Sequence, residues 1–311
     1  MNRSPFATSA LSLWLLATVL PAAVVYQDDF DAGTSGAGWT ANLSHTDASA
    51  DFAFDYSTLG IPSAPGSSGG STMGMRFLAN QSAGVFQGIS ASPNGQSFSG
   101  DFKLSFDMWL NYVGPLGAGG SGTTQLATVG MGTNGTTAQW PGLTNGIMLA
   151  TTLDGGSSQD YRLYRNNAVD TNVATYAAGS QNNSAAYYTG AFLSQGAPPP
   201  QTTLYPGQTG STDAGEVSFR WMQAEVERVG NLLTWKLNNT LIASTDLSTA
   251  SLAGDNIFFG MADTNSTSST DPNDFLNTAI YDNIVVTAIP EPQAGILTLA
   301  CCGLLARRRR R

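Results

Sequence analysis

The amino-acid sequence predicts an all-β protein whose folded body is one large domain. Short apolar runs are separated throughout by Gly, Ser, Thr, Asn and Asp, the residues that favour turns. Long stretches with the 3.6-residue period of an amphipathic helix are hard to find. Residues 102–112 alternate strictly between apolar and polar side chains, which is the period of a strand with one buried and one exposed face.

The predicted strands follow one another at short intervals along the body. Gly230-Asn231 and Asn238-Asn239 predict hairpin turns, because asparagine tolerates the positive φ that such turns require. The predicted strands are 24–30, 73–77, 85–89, 102–112, 126–131, 146–151, 161–165, 217–229, 232–237, 256–262 and 278–287. The predicted surface loops are 58–70, 114–122 and 194–215, which are rich in Gly, Pro and Ser.

The closing half of the body resembles the concanavalin A-like and laminin-G-like domains. The matching stretches are V-E-R-V-G-N-L-L-T-W-K-L-N-N-T-L-I-A at 226–243, I-F-F-G-M-A-D at 257–263 and Y-D-N-I-V-V at 281–286. Such domains often open with D-D-F, as residues 28–30 do, and place that strand beside the last one. The resemblance implies a jelly-roll sandwich of two antiparallel sheets, a fold that often binds carbohydrate.

The C-terminal residues 289–311 combine a backbone break, an apolar run and a basic end. The two prolines of Pro290-Glu291-Pro292 exclude interior helix and central strand, and 294–306 is shorter than the roughly 20 residues that span a bilayer. A basic block after an apolar run holds that end on the cytoplasmic side. This order resembles the PEP-CTERM sorting signal of exported bacterial proteins. The matching charged and proline residues are Pro290, Glu291, Pro292, Arg307, Arg308, Arg309, Arg310 and Arg311.

The PEP-CTERM resemblance implies an exosortase as processing partner, transient membrane insertion, and delivery to the cell surface or the extracellular matrix. The alternative is a hydrophobic tail with a basic end that is never processed. The N-terminus predicts a signal peptide over 1–23, with Arg3, an apolar core at Ala10–Leu20 and small residues before the cut. Its alternative is a buried first helix. The predicted division is therefore 1–23 signal peptide, 24–288 sandwich and 289–311 sorting tail.

The predicted body is strongly acidic. It carries 7 Lys and Arg against 21 Asp and Glu, a net charge of −14, because Arg3, Glu291 and the five terminal arginines lie outside it. Nucleic-acid binding depends on basic residues that neutralise phosphates, so it is not expected here. Both cysteines, Cys301 and Cys302, lie in the tail, so the body has no disulfide. The single histidine, His45, excludes a histidine-based metal cluster.

Two tryptophans, Trp109 and Trp221, alternate onto the same face as polar side chains of their predicted strands. A flat indole among polar groups on an exposed sheet face suits a sugar ring, so extracellular polysaccharide is the predicted partner. Burial of these tryptophans under a loop or a second layer is the alternative. The predicted ligand-binding residues are Asp107, Trp109, Asn111, Trp221, Glu225 and Glu227.

Two groups of oxygen-bearing side chains are candidates for structural calcium, which takes six to eight oxygen ligands. One group lies in the loop that begins at 263, and the other would form if the first and last strands pair. Ordinary solvated turn residues are the alternative. The candidate ligands are Asp263, Asn265, Asp271 and Asp274 in the loop, and Asp28, Asp29 and Asp282 at the strands.

No catalytic motif is found in the sequence. Retaining glycosidases of the resembled fold use a Glu-x-Asp-x-Glu motif, and the nearest approach among four glutamates is Glu225-Val226-Glu227. We therefore expect a non-enzymatic protein that binds or structures extracellular polysaccharide. A polysaccharide-degrading enzyme on the same fold is the alternative, and a coat component without a ligand is a third possibility.

Overall fold

The strands of the protein form two large antiparallel sheets packed as a sandwich, as the sequence predicts. The computed structural model describes residues 22–79, 81, 86–114, 124–154, 156–264 and 273–290, and Ala23–Ile289 form one compact unit. The strands are β1 (Ala23–Asp28), β2 (Trp39–Leu43), β3 (Ala48–Asp55), β4 (Met73–Ala79), β5 (Gln87–Pro93), β6 (Phe102–Asn111), β7 (Gln125–Thr133), β8 (Ile147–Thr152), β9 (Tyr161–Arg165), β10 (Ala168–Val169), β11 (Gln195–Gly196), β12 (Ser211–Thr212), β13 (Trp221–Val229), β14 (Leu232–Leu237), β15 (Thr240–Asp246), β16 (Asn256–Asp263) and β17 (Thr278–Ala288). Within these ranges the helices are α1 (Ala186–Ala191), α2 (Pro199–Leu204) and the 3-10 turns Ser35–Gly38, Tyr56–Leu59, Ser68–Gly70, Val173–Thr175, Leu247–Thr249 and Asp274–Leu276.

The first sheet has the order β15-β14-β13-β6-β17-β4-β3, and β1 pairs with the C-terminal half of β17. The second sheet has the order β10-β9-β8-β7-β16-β5-β2, and β11 and β12 form a small separate ribbon. The first and last strands therefore pair, with Asp28 opposite Ile284. The turns at 230–231 and 238–239 close two-residue hairpins on either side of β14, as predicted.

The core lies between the two sheets and is rich in aromatic side chains. Phe106 of the first sheet meets Phe259 of the second edge to face, with ring centroids 4.9 Å apart. Tyr281 of β17 is fully buried, and its hydroxyl lies 2.9 Å from the Thr128 carbonyl oxygen and 2.8 Å from that of Gly260 in the second sheet. The Tyr281 hydroxyl therefore links the first sheet to the second by hydrogen bonds. Aromatic packing alone would leave this buried polar group without a partner.

Strand β6 alternates as predicted only in its first half. Lys103 and Ser105 are partly exposed, whereas Asp107, Trp109 and Asn111 on the same face are buried. The expectation that this whole polar face is open to solvent is therefore wrong for its second half. The physical reason is the segment 56–71, which folds over that part of the sheet and hydrogen-bonds to its side chains.

The segment 194–215 is more ordered than the predicted surface loop. It contains α2, which begins at consecutive prolines because the first helical turn needs no backbone donors. Gln201 and Gln208 are buried and bonded to each other at 2.9 Å, and Gln201 Nε2 donates to the Leu59 carbonyl oxygen at 3.0 Å. The segment thus supports the 3-10 turn that follows β3. Strand β13 begins later than predicted, because Phe219 takes a positive φ of 61°.

No helix in the described part of the chain is both long and apolar enough to cross a membrane. The apolar run at 294–306 lies outside the described residues.

Candidate functional site

A groove of about 540 Å³ opens on the outer face of the first sheet, across β13, β6, β17 and β1. Its floor is polar because the strands alternate with period two, so their apolar side chains point inward to the second sheet. The backbone of the 56–71 segment reaches it at Gly66, and the β14–β15 turn reaches it at Asn239. Its polar lining includes Gln27, Asp29, Ser105, Asp107, Gln223, Glu225, Asn239 and Asn283.

Asp107 is the most buried carboxylate of the groove lining, with 3% of its surface exposed. Its Oδ2 accepts hydrogen bonds from the Gly66 backbone N–H at 2.8 Å and from Asn283 Nδ2 at 2.9 Å. Burial raises the pKa of Asp107 above its ordinary value, and these two hydrogen bonds offset part of that rise. The two hydrogen bonds therefore hold the Asp107 carboxylate in place, but they offset only part of the effect of burial on its charged form.

Asn283 reaches Asp107 because β17 carries a β-bulge. Asp282 lies opposite Asp107, but Val285 lies opposite Ser105, so one extra residue enters β17 between the two pairs. Asn283 takes a positive φ of 52°, which asparagine tolerates better than most residues. The bulge places its amide against Asp107, and thus a local irregularity builds part of the groove.

Asp282 is a second buried carboxylate, next to Asp107 across the two strands. Its Oδ2 accepts hydrogen bonds from the Tyr56 hydroxyl at 3.0 Å and from Ser67 Oγ at 2.9 Å. Burial raises the pKa of Asp282 to about 6, and the negative charge of Asp107 adds to that rise. Asp282 therefore fastens the 56–71 segment to the sheet beside the groove.

Gly66 brings the backbone of this segment close to the sheet beside Asp107. A methyl group at its Cα would lie 2.7 Å from Asp107 Oδ2 and 3.1 Å from Asn283 Cβ. Any larger residue would therefore displace either the segment or the Asp107 carboxylate. The glycine allows the backbone N–H to reach the carboxylate.

The two predicted platform tryptophans lie together but do not form an open platform. Trp109 and Trp221 are cross-strand partners on β6 and β13, with ring centroids 5.6 Å apart. Trp109 is 2% exposed, and Trp221 donates its indole N–H to the Pro62 carbonyl oxygen at 2.7 Å. The expectation of an exposed stacking surface is wrong for Trp109, which packs against Trp221, and Trp221 in turn contacts Tyr56 and Pro62 of the 56–71 segment.

Asn111 also serves the covered end of the sheet rather than the groove. It accepts a hydrogen bond from Trp109 Nε1 at 3.2 Å and donates one to the Leu276 carbonyl oxygen at 2.9 Å. It is fully buried, so both halves of its amide are used internally. Of the predicted β6 residues, only Asp107 lines the groove.

Glu225 and Glu227 lie on one face of β13, as predicted, but in different surroundings. Glu225 lines the groove, and its Oε1 forms an ion pair with Lys103 Nζ at 3.1 Å. Glu227 is the cross-strand partner of Lys103 and is not part of the groove lining. Only one of the two glutamates is therefore placed to meet a ligand in the groove.

Asp28 is a poor fit for a calcium ligand. Its Oδ1 accepts hydrogen bonds from the Phe30 N–H at 3.0 Å and from Ser35 Oγ at 2.7 Å, and its Oδ2 accepts one from Trp39 Nε1 at 2.9 Å. These donors occupy the oxygens that a cation would need. Among the described residues, no group of three or more His, Cys, Asp and Glu side chains is arranged to hold a metal ion.

The other calcium candidates are dispersed. Asp29 is exposed at the groove, and Asp282 is tied to the 56–71 segment. Asp263 is buried at the end of β16 in the second sheet, and Asp274 begins a 3-10 turn. The described residues therefore do not assemble the predicted calcium site. Candidates Asn265 and Asp271 lie outside the described part of the chain, as do Glu291, Pro292, Arg307, Arg308, Arg309, Arg310 and Arg311 of the sorting motif.

Several groove residues were not predicted from the sequence. Gln223 and Asn239 are exposed polar residues, with no local pattern that distinguishes them from solvated ones. Asn283 lies in the Y-D-N-I-V-V stretch, whose strand character was predicted without its bulge. Gly66 lies in a glycine-rich loop, where composition indicates flexibility rather than a close contact. Position relative to distant strands defines these residues, and that information is not local.

No protein-family model and no curated protein sequence matches the chain. Among solved structures, it is similar to a Bacillus subtilis protein of unknown function with a galectin-like fold, at 9% identity and a TM-score of 0.42, covering 88% of this chain and 100% of that one. It is also similar to a glycoside hydrolase family 16 endo-glucanase from Bacteroides ovatus, at 14% identity and a TM-score of 0.42, covering 85% and 100%. A Bacillus licheniformis beta-glucanase matches at 10% identity and a TM-score of 0.38, covering 87% and 97%. These are distant neighbours, and no assignment of ligand or activity rests on them.

Proposed function

We propose that the protein binds extracellular polysaccharide, and that the glycan lies in the groove on the outer face of the first sheet. The observation that supports this proposal is a 540 Å³ groove whose floor offers carboxylate, amide and hydroxyl groups side by side. Sugar hydroxyls are both donors and acceptors, so such a mixed lining suits them. Because the stacking tryptophan Trp109 is covered, recognition relies on hydrogen bonds rather than on an aromatic platform.

A glycan screen with the purified protein tests this proposal. We expect binding that is lost in the double variant Gln223→Ala/Asn239→Gly, which removes two exposed groove amides, and the glycine retains the positive φ of 63° that position 239 adopts in its turn. The control is Asp255→Asn, an exposed residue immediately before β16 of the second sheet. Absence of binding to every glycan, with and without calcium, would contradict the proposal and favour a coat component. Loss of binding on chelation would revive a calcium site.

We propose that the protein is exported and reaches the cell surface or matrix through its C-terminal tail. The order of Pro290-Glu291-Pro292, apolar run and arginine block supports an exosortase as processing partner, with transient membrane insertion before the cut. Mass spectrometry of the mature protein from its own cells should find a C-terminus near 292. Replacing Pro290 and Pro292 with alanine should leave the tail attached. An intact tail in the unchanged protein would favour the unprocessed alternative.

A polysaccharide-degrading enzyme is the second candidate. Gln223 is the cross-strand partner of Asp107, so Glu225 is the diagonal neighbour of Asp107, and ordinary sheet geometry places the Cα atoms of such a pair roughly 7–8 Å apart, which lets their two carboxyl groups adopt a separation of that order. Inverting glycosidases separate their two carboxyl groups by roughly 6.5–9.5 Å. Release of new reducing ends from a bound polysaccharide, abolished by Asp107→Asn, would favour this candidate over a binding protein.

A further inference from the structure

The charge of the groove restricts which polysaccharide can enter it. Its lining includes Asp29, Asp107 and Glu225, which come from three separate segments of the chain, and no Lys, Arg or His is among the described residues that line it. Asp28 also lines it, but hydrogen bonds occupy both of its oxygens. An anionic glycan would therefore meet like charge along the floor, whereas a cationic one would meet opposite charge.

Asp107 provides an independent indication of what the groove takes. The residue as a whole is 97% buried, both of its hydrogen bonds go to Oδ2, and among the described residues none goes to Oδ1. Oδ1 is not among the fully buried polar atoms that lack a partner, and Asp107 lines the groove, so this oxygen is accessible from the groove. A ligand in the groove can therefore donate a hydrogen bond to Oδ1, and a positively charged donor would form the strongest one.

The same sheet face already accommodates one primary ammonium group. Lys103 Nζ lies 3.1 Å from Glu225 Oε1 at the edge of the groove, and both side chains are partly exposed. This ion pair leaves Glu225 Oε2 without a hydrogen bond among the described residues, on the side chain that lines the groove. The second oxygen can receive a further N–H donor from a ligand.

We propose that the groove selects polysaccharides that carry free, protonated amino groups, as in polymers of 2-amino-2-deoxy sugars, over their N-acylated forms and over polyuronates. The inference rests on the proposed polysaccharide-binding function and specifies its ligand class. The ammonium group supplies three donors and a positive charge to Asp107 and Glu225. An N-acetyl group supplies one donor and no charge, and a uronate carboxylate is repelled.

Calorimetric titration tests the selection directly. The probes are a β-1,4-linked glucosamine hexamer, its fully N-acetylated counterpart and a hexauronate, each at about pH 6, where amines are protonated. We expect the amino hexamer to bind at least about tenfold more tightly than the acetylated one, and the uronate least. The affinity for the amino hexamer should fall as ionic strength rises, because screening weakens the attraction.

Variants show whether the carboxylates cause the selection. Asp107→Asn and Glu225→Gln should each reduce the preference for the amino hexamer at least about threefold, whereas Asp255→Asn, with the same charge change, should retain it. Substitution of the buried Asp107 also perturbs its packing. Asp29→Asn is therefore included as a third groove variant, because Asp29 is exposed and its substitution leaves the core unchanged. Equal or tighter binding of the acetylated hexamer, or a preference unchanged in all three groove variants, overturns this inference alone. A protein that binds no glycan overturns the proposed function as well.

Discussion

Replacing Asp282 with asparagine should change how the stability of the protein depends on pH. Asp282 is fully buried in β17 beside Asp107, and its pKa in the folded protein is about 6 instead of the ordinary 3.8. Burial is the main cause, since it disfavours the charged form more than the surrounding donors favour it. Asparagine has nearly the same shape and cannot ionise, so it removes the titration with little change in packing.

The size of the effect follows from the two pKa values. Below pH 3.8 Asp282 is protonated in both states, and between 3.8 and about 6 only the folded state holds the proton. The free energy of unfolding therefore falls as pH rises through this window, since the folded state binds more protons. A difference of about 2 units at 1.36 kcal/mol each amounts to about 3 kcal/mol lost by pH 7. The stabilising contribution is complete below 3.8.

Urea unfolding followed by tryptophan fluorescence at intervals from pH 4 to pH 8 measures this loss. Asp282→Asn should be close to the wild type at pH 4 and gain about 3 kcal/mol relative to it by pH 7. Carboxyls away from Asp282 with raised pKa values, such as the partly buried Glu216 at about 8, contribute to both proteins and cancel in the difference, whereas Asp107 is coupled to Asp282 and belongs to the measured effect. Asp255→Asn is the matched control and should keep the wild-type pH profile.

A constant difference between Asp282→Asn and the wild type from pH 4 to pH 8 would refute the reasoning. It would mean that Asp282 has the same pKa in the folded and unfolded states. A variant that becomes less stable relative to the wild type as pH rises would show that hydrogen bonds from Tyr56 and Ser67 outweigh burial. Either result would also remove the basis for treating this end of the groove as poorly solvated.

Tyr281→Phe removes the hydroxyl that joins the two sheets and should lower the free energy of unfolding in urea by about 1 kcal/mol. The loss should be no larger because both carbonyl acceptors also lie in paired strands. An unchanged free energy of unfolding would contradict an inter-sheet role. Gly66→Ala should cost about 1–3 kcal/mol by overpacking against Asp107, measured as a lower melting temperature. Unchanged melting would show that the 56–71 segment moves aside freely. Asn283→Gly should weaken glycan binding but be more stable to urea than Asn283→Ala, because only glycine adopts the positive φ without strain. Equal stability of the two variants would argue against strain at the bulge.

The strand pattern was predictable where one face of a strand meets the core and the other meets water. Strands β9 and β14 have the predicted ends, because each is bounded by clear turn signals. Strands β2 and β3 were not predicted. Phe52 and Phe54 of β3 are only partly buried, and this strand lies at the edge of its sheet, where the apolar face is incomplete. The position of a strand at the edge of a sheet depends on tertiary structure, so it cannot be predicted from composition.

The candidate site was predictable in part. The alternation of side chains along β6 and β13 correctly predicted that Asp107, Trp109 and Trp221 lie on one face, because alternation is a local property. Parity does not reveal what lies above that face. The 56–71 segment follows β3 at the far edge of the sheet, yet it contacts Trp221 on β13, against which Trp109 packs. A long-range contact therefore converted a predicted sugar platform into a buried aromatic cluster.

Local chemistry in the chain was enough to predict an all-β domain, an acidic body without disulfides and a polar face on β6, because alternation, turn residues and charge act over a few residues. The arrangement of the strands as a two-sheet sandwich was implied by the resemblance to concanavalin A-like domains. The groove depended on contacts between residues far apart in sequence. The bulge at Asn283, the approach of Gly66 and the partly compensated carboxylate of Asp107 come from three separate segments. Each is ordinary in its own sequence context, and only their packing places a charged, partly unsatisfied group at the base of a groove.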